Sequence, residues 1–211
     1  QMTLGHQFLL ENFNFIPDIG WHIDPFGHAS AQAALFAQMG FKAFYIARID
    51  YQDQVNRMLK KGMEMVWIPD TSQGIENAIF SHVNYFHYGS PHGFDFDIVG
   101  HDQPIRDNPN LEDYDVNLRA TEFVAWFRLM QTGYKPTGHL MHTIGGDFQF
   151  MAPGMNFKNL DKLLRYIAKN PQFNVNVTFN TPGEYLNLIY ALNTTYPINN
   201  FDFFPYADII N

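Results

Sequence analysis

Cysteine is absent from all 211 residues, which excludes disulfides and thiolate metal sites. Basic side chains are scarce: 13 Lys and Arg stand against 21 Asp and Glu, a net charge of −8. They form no block, so nucleic acid is not an expected partner. Long apolar runs are missing as well. None approaches the roughly 18 to 20 residues that span a bilayer, so no membrane span is expected. No signal-peptide pattern opens the chain, and Gln1 stands where an initiating Met would be. Processed proteins and pieces of longer ones share that kind of start. What the chain does hold is apolar and aromatic residues, at 46% and 17%, enough for a sizeable core and too many for disorder. The length suits one large domain or most of one.

Short apolar runs alternate with amphipathic ones. Strands are expected over 15–23, 42–49, 63–68, 139–144 and 173–179. Helices are expected over 29–39, 51–61, 116–130 and 156–169. Gly62 is the expected C-cap of the second helix and Asn156 the N-cap of the fourth. A further helix opens at Thr181-Pro182, with Glu184 completing a capping box. Residues 81–113 hold Gly89, Pro91, Gly93, Gly100, Pro104 and Pro109 among many aromatics and read as a long ordered loop region. Strands that alternate with helices imply an α/β fold with a parallel sheet. Periodicity alone does not say whether that sheet closes into a barrel. No fixed repeat or linker appears, so one domain is expected.

The densest chemistry is in Trp21-His22-Ile23-Asp24-Pro25-Phe26-Gly27-His28, where a strand gives way to a helix. α/β enzymes place charged working groups at such junctions. Asp147, in Gly145-Gly146-Asp147, has the same setting after the expected strand 139–144. Two carboxylates on one sheet face suit glycoside hydrolysis, one as nucleophile and one as general acid. Each also suits a helix N-cap, Asp24 less so because Pro25 and Gly27 intervene. His22 and Asp24 are two apart and would share a strand face, as two ligands of one metal would; a core histidine is the alternative for His22. His82, His87, His92 and His101 fall in the loop region, and no H-E-x-x-H or H-x-x-E-H spacing occurs. Arg48, at the end of strand 42–49, could clamp a carboxylate or pair with Asp50 or Asp53. Tyr85, Phe86, Tyr88 and Phe94 could stack on sugar rings or anchor the loop.

The run Trp21 to His28 resembles the signature of glycoside hydrolase family 38, the class II α-mannosidases. The resemblance continues through Phe36-Ala37-Gln38-Met39-Gly40-Phe41 and Ala47-Arg48-Ile49-Asp50-Tyr51-Gln52. It resumes at Gly146-Asp147-Phe148-Gln149-Phe150, Asn156-Phe157-Lys158-Asn159-Leu160-Asp161-Lys162 and Asp202-Phe203-Phe204-Pro205-Tyr206-Ala207-Asp208. It implies a retaining, zinc-dependent exo-hydrolase of α-mannoside glycans. Asp24 would be the nucleophile and a zinc ligand, and Asp147 the general acid/base. Arg48 and Tyr88 would contact or support the substrate site. The family's other zinc ligands, a His-x-Asp pair before this stretch and a His beyond Asn211, do not lie in the chain. Residues 1–211 are therefore expected to be the central part of an N-terminal catalytic domain, a partial seven-stranded parallel β/α barrel. The alternative is an incomplete, non-catalytic carbohydrate-binding or scaffold relic. The nearest subgroup is lysosomal, which implies an acidic or other secretory compartment. The sequons Asn176-Val177-Thr178 and Asn193-Thr194-Thr195 agree with that. Oligomeric state is left open.

Overall fold

The computed structural model describes residues 1–209; Ile210 and Asn211, the end of the expected domain, lie outside the described residues. The chain divides into two compact units. One takes in Gln1–His87, Gly133–Lys135 and the segment from Leu186 onward; the other takes in Tyr88–Thr132 and Pro136–Tyr185.

The first unit opens on helix α1 (Met2–Phe13), none of whose residues is buried. Strand β1 (Ile19–His22) follows, then α2 (Ser30–Gln38), β2 (Ala43–Ile46), α3 (Tyr51–Lys60), β3 (Glu64–Trp67) and β4 (Ile79–Val83). The α/β class holds. With β5 (Ile198–Asn199) the strands form an open sheet in the order β1-β2-β4-β3-β5. Three neighbouring pairs are parallel, but β3 and β4 are antiparallel. This departs from the all-parallel sheet expected, for a local reason. Residues 68–78 carry only the 3₁₀ turn Ile75–Asn77 and no crossover helix, so the chain must return alongside β3 in the opposite direction.

The central strands β2 and β4 are buried along their whole length, as strands covered on both faces are. β4 was not expected as a strand, because Ser81 and His82 interrupt its apolar run. The register explains how it is tolerated. His82 stands opposite Glu64, Nδ1 to Oε1 at 3.0 Å, with both side chains 1% exposed. Tyr134 stacks on His82 at 5.2 Å and donates its hydroxyl hydrogen to the Val83 carbonyl at 2.8 Å. Helix α3 ends on Lys61, not on the expected Gly62. Lys61 takes the left-handed conformation (φ 55°), and the Gly62 N–H returns to the Arg57 carbonyl at 2.8 Å.

The second unit is helical. It carries α4 (Val116–Gln131) and α5 (Pro153–Lys169), packed through a core that includes Phe94, Phe123, Leu160 and Leu163. Helix α5 starts three residues before the expected cap Asn156, with Pro153 in its first turn. Asn156 lies buried inside it. The strands expected over 139–144 and 173–179 do not form. Ile144 and Val177 instead pack partly buried against the helical core, and Asn174 turns left-handed at φ 49°. Helix α6 (Pro182–Ala191) begins as expected: Thr181 N–H and Oγ1 both donate to Glu184 Oε2, and the Glu184 N–H donates to Thr181 Oγ1.

Candidate functional site

Asp24 lies two residues past the C-terminal end of β1, on the connection into α2. Ala29, the N-cap of α2, offers no side-chain cap. Asp202 supplies it from the far end of the chain, accepting the Ser30 N–H at 2.5 Å. The Phe203 N–H binds the His28 carbonyl at 3.3 Å. Residues 202–208 are thereby fastened beside the connection that bears Asp24.

Arg48 settles on Asp24. Its Nε and Nη2 donate to Asp24 Oδ1 at 2.8 and 2.6 Å. Asp50 and Asp53, the other candidate partners, are otherwise engaged. Asp50 caps α3 through the N–H groups of Gln52 and Asp53, and Asp53 pairs with Arg57 at 2.7 Å. The Arg48 guanidinium carbon lies 4.3 Å from the Phe26 ring centroid and 5.3 Å from that of Tyr206, and the two rings pack edge-on to each other. Arg48 is 17% exposed and Asp24 59%. An ion pair so open contributes little to stability. Its geometry serves to fix the carboxylate and hold a positive charge against it. His87 belongs to the same neighbourhood. Burial lowers its pKa, the Arg48 charge adds to that, and Asp24 and Asp208 oppose it. Tyr206 donates to Asp208 at 3.2 Å.

The structure thus brings Asp24 and Arg48 together and adds Phe26, His87, Tyr206 and Asp208, which sequence reasoning gave no role. Phe26, Tyr206 and Asp208 were signalled only by membership in the motifs around Asp24 and Asp202, and His87 only as one of the loop-region histidines. His22 takes the core alternative: its ring packs edge-on to Phe36 and Phe44 at 5.1 and 5.3 Å. Of the four aromatics, Tyr85 packs edge-on to Phe86 at 4.5 Å. Tyr85 and Phe94 are core residues, and Phe86 is exposed.

Asp147 and Tyr88 belong to the second unit. Tyr88 is half-buried. Asp147 does not follow a strand, as expected, but rides an exposed turn before α5. Among the described residues no three His, Cys, Asp or Glu side chains converge as metal ligands would, and no helix is long and apolar enough to cross a membrane.

Residues 1–209 match the glycosyl hydrolases family 38 N-terminal domain. The chain is 43% identical over 209 residues to a lysosomal alpha-mannosidase of Dictyostelium discoideum, covering 99% of the chain and 20% of that protein. It is 42% identical over 207 residues to an alpha-mannosidase of Canavalia ensiformis, covering 98% and 21%. With human lysosomal alpha-mannosidase the identity is 42% over 218 residues, covering 99% and 21%. The chain spans about a fifth of the length of these relatives.

Proposed function

The chain belongs to glycosyl hydrolase family 38, within its N-terminal domain, and from that membership we propose that the whole protein is a retaining exo-α-mannosidase. The observation that carries the reading is the Arg48-clamped Asp24 at the strand-to-helix junction. Asp24 attacks the anomeric carbon of a terminal α-mannoside as the glycosidic bond breaks, forming a glycosyl ester. Asp147 protonates the departing oxygen, then takes a proton from the water that hydrolyses the ester. Arg48 keeps Asp24 oriented and its charge balanced until the bond forms. Tyr88 contributes a sugar contact. We extend the same reading to a closed β/α barrel for the complete N-terminal domain.

A bound zinc ion would supply Lewis-acid polarisation at the sugar hydroxyls. A zinc site takes three or four protein ligands. The described residues alone do not fit the ion, since no three candidate ligands converge. Asp24 would be one ligand, the others coming from the roughly four-fifths of the relatives' length that the chain does not span. The names of the relatives support a lysosomal or similar acidic compartment. The sequon residues Asn176 and Asn193 are both exposed, as glycosylation would require.

Replacing Asp24 by Ala in the full-length protein should abolish mannose release from an aryl α-mannoside. Normal turnover by that variant would overturn the assignment.

A further inference from the structure

Asp147 occupies the apex of a tight turn. The Gly146 carbonyl accepts the Gln149 N–H at 3.2 Å, and Phe148, the residue after Asp147, has φ 60°. Phe150 is left-handed too, at φ 62°. Such a backbone costs an L-residue about 1–2 kcal/mol and persists only where surrounding contacts impose it. Burial of Phe148 does not impose it, because that ring is 79% exposed.

The contacts come from a segment about fifty residues earlier. Asp97 Oδ2 accepts the Phe150 N–H at 2.7 Å and Asn156 Nδ2 at 2.8 Å. Asp95 Oδ2 accepts Gln149 Nε2 at 2.7 Å. Asp97 is 2% exposed. Burial opposes its ionisation, but hydrogen bonds from Phe150, Asn156, Val99 and Ile98 outweigh burial and hold its carboxyl below the usual range. It therefore accepts as an anion, and its bonds are charge-assisted. Asp95 is seated as firmly. Its Oδ1 accepts the Asp97 N–H at 3.3 Å, and Gly100 leaves it room. A Cβ at Gly100 would fall 2.1 Å from Asp95 Cγ.

We propose that Asp97, seconded by Asp95, is the positioning residue for Asp147: it imposes the strained turn that presents the acid/base. This rests on the reading of Asp147 given above. Asp97 touches no substrate, and it acts through the Phe150 N–H and Asn156.

The test is leaving-group dependence in the full-length protein. An alkyl α-mannoside needs its leaving oxygen protonated, whereas a dinitrophenyl α-mannoside does not. Asp97→Asn keeps the shape but removes the charge and one acceptor oxygen. Its kcat/KM should fall about 30-fold on the alkyl substrate and less than about 3-fold on the dinitrophenyl one, a part of the 10²–10⁴ that a general acid supplies. Asp147→Ala should show the same selectivity with a larger loss. If Asp147→Ala lacks it, the acid/base reading falls and this proposal with it. If Asp147→Ala shows it while Asp97→Asn loses both substrates equally, or neither, the positioning role alone is overturned. Should Asp97→Asn not fold, Gln149→Ala decides. That variant removes one anchor from a half-buried side chain. A loss confined to the alkyl substrate supports the proposal; equal losses, or none, overturn it.

Discussion

Acid should loosen the packing around His28. The ring is 5% exposed and lies edge-on to Phe44 at 6.1 Å and to Phe203 at 6.2 Å. Its Nε2 has no hydrogen-bond partner among the described residues. Burial, assisted by the His22 charge and opposed by a hydrogen bond to the Arg48 backbone, lowers its pKa from 6.5 to about 4. Between those values the unfolded chain holds a proton that the folded chain does not. Stability therefore rises with pH across this window, is complete above about 6.5, and is lost as pH falls toward 4. At 1.36 kcal/mol per pH unit the full loss is about 3 kcal/mol, and about 2 kcal/mol is gone by pH 5. The acidic compartment proposed above would put the protein inside that window. Urea unfolding of the full-length protein and of His28→Gln at several pH values isolates the effect, because glutamine does not titrate. The stability difference between the two should shrink by about 2 kcal/mol from pH 7 to pH 5. A constant difference would show that His28 is protonated equally in both states and would refute the argument.

Substitutions at three positions test the rest of the first unit. Gly20→Ala should cost about 1–3 kcal/mol, because the added Cβ falls 2.7 Å from the ring of Phe36, itself buried and stacked on Phe41 at 4.5 Å; an unchanged melting temperature would contradict this. Lys61→Gly should raise the melting temperature, worth about 0.5–1 kcal/mol, since glycine takes the φ of 55° without strain; a lower one would mean that the lysine side chain matters more than its backbone. Glu64→Ala should cost about 1–3 kcal/mol by removing the buried oxygen that faces His82 Nδ1, whereas Glu64→Gln, which can still hydrogen-bond, should cost clearly less. Equal costs in urea unfolding would mean that packing, not pairing, dominates there.

Helices α2 to α6 were legible because each announces itself locally; α1 (Met2–Phe13), none of whose residues is buried, was not expected. Apolar residues at 3.6-residue spacing marked α2 to α5, and Thr181 with Glu184 marked the start of α6. Strands were legible only where a partner existed. The runs 139–144 and 173–179 have strand composition, but the second unit offers no sheet among its described residues, and their apolar side chains serve a helical core instead. β4 is the converse case. Its Ser81 and His82 look like loop, and it is Glu64 across the β3 register and Tyr134 stacked on His82 that accommodate the segment as a buried strand. An alternation pattern states that a run has two faces; it does not state what will cover either of them.

The same distinction separates what the sequence said about the site from what it did not. Asp24 could be picked out because a strand, a carboxylate, Pro25 and Gly27 are adjacent in the chain. That Arg48 would choose Asp24 over the nearer Asp50 and Asp53 depends on α3, whose own capping and ion pairing occupy both acids first. Asp202 is 172 residues from the Ser30 N–H it caps, and Asp97 is 53 from the Phe150 N–H it holds. Neither tie has a local signature, because a hydrogen-bond acceptor reads alike whatever donor the fold brings to it. The two candidate carboxylates thus differ in kind. Asp24 follows a strand that its own neighbours form, but the Arg48 guanidinium and the Asp202 tie, both from elsewhere in the chain, hold it in place. Asp147, on an exposed turn that carries the left-handed Phe148 and Phe150, depends on backbone anchors that only the folded chain supplies.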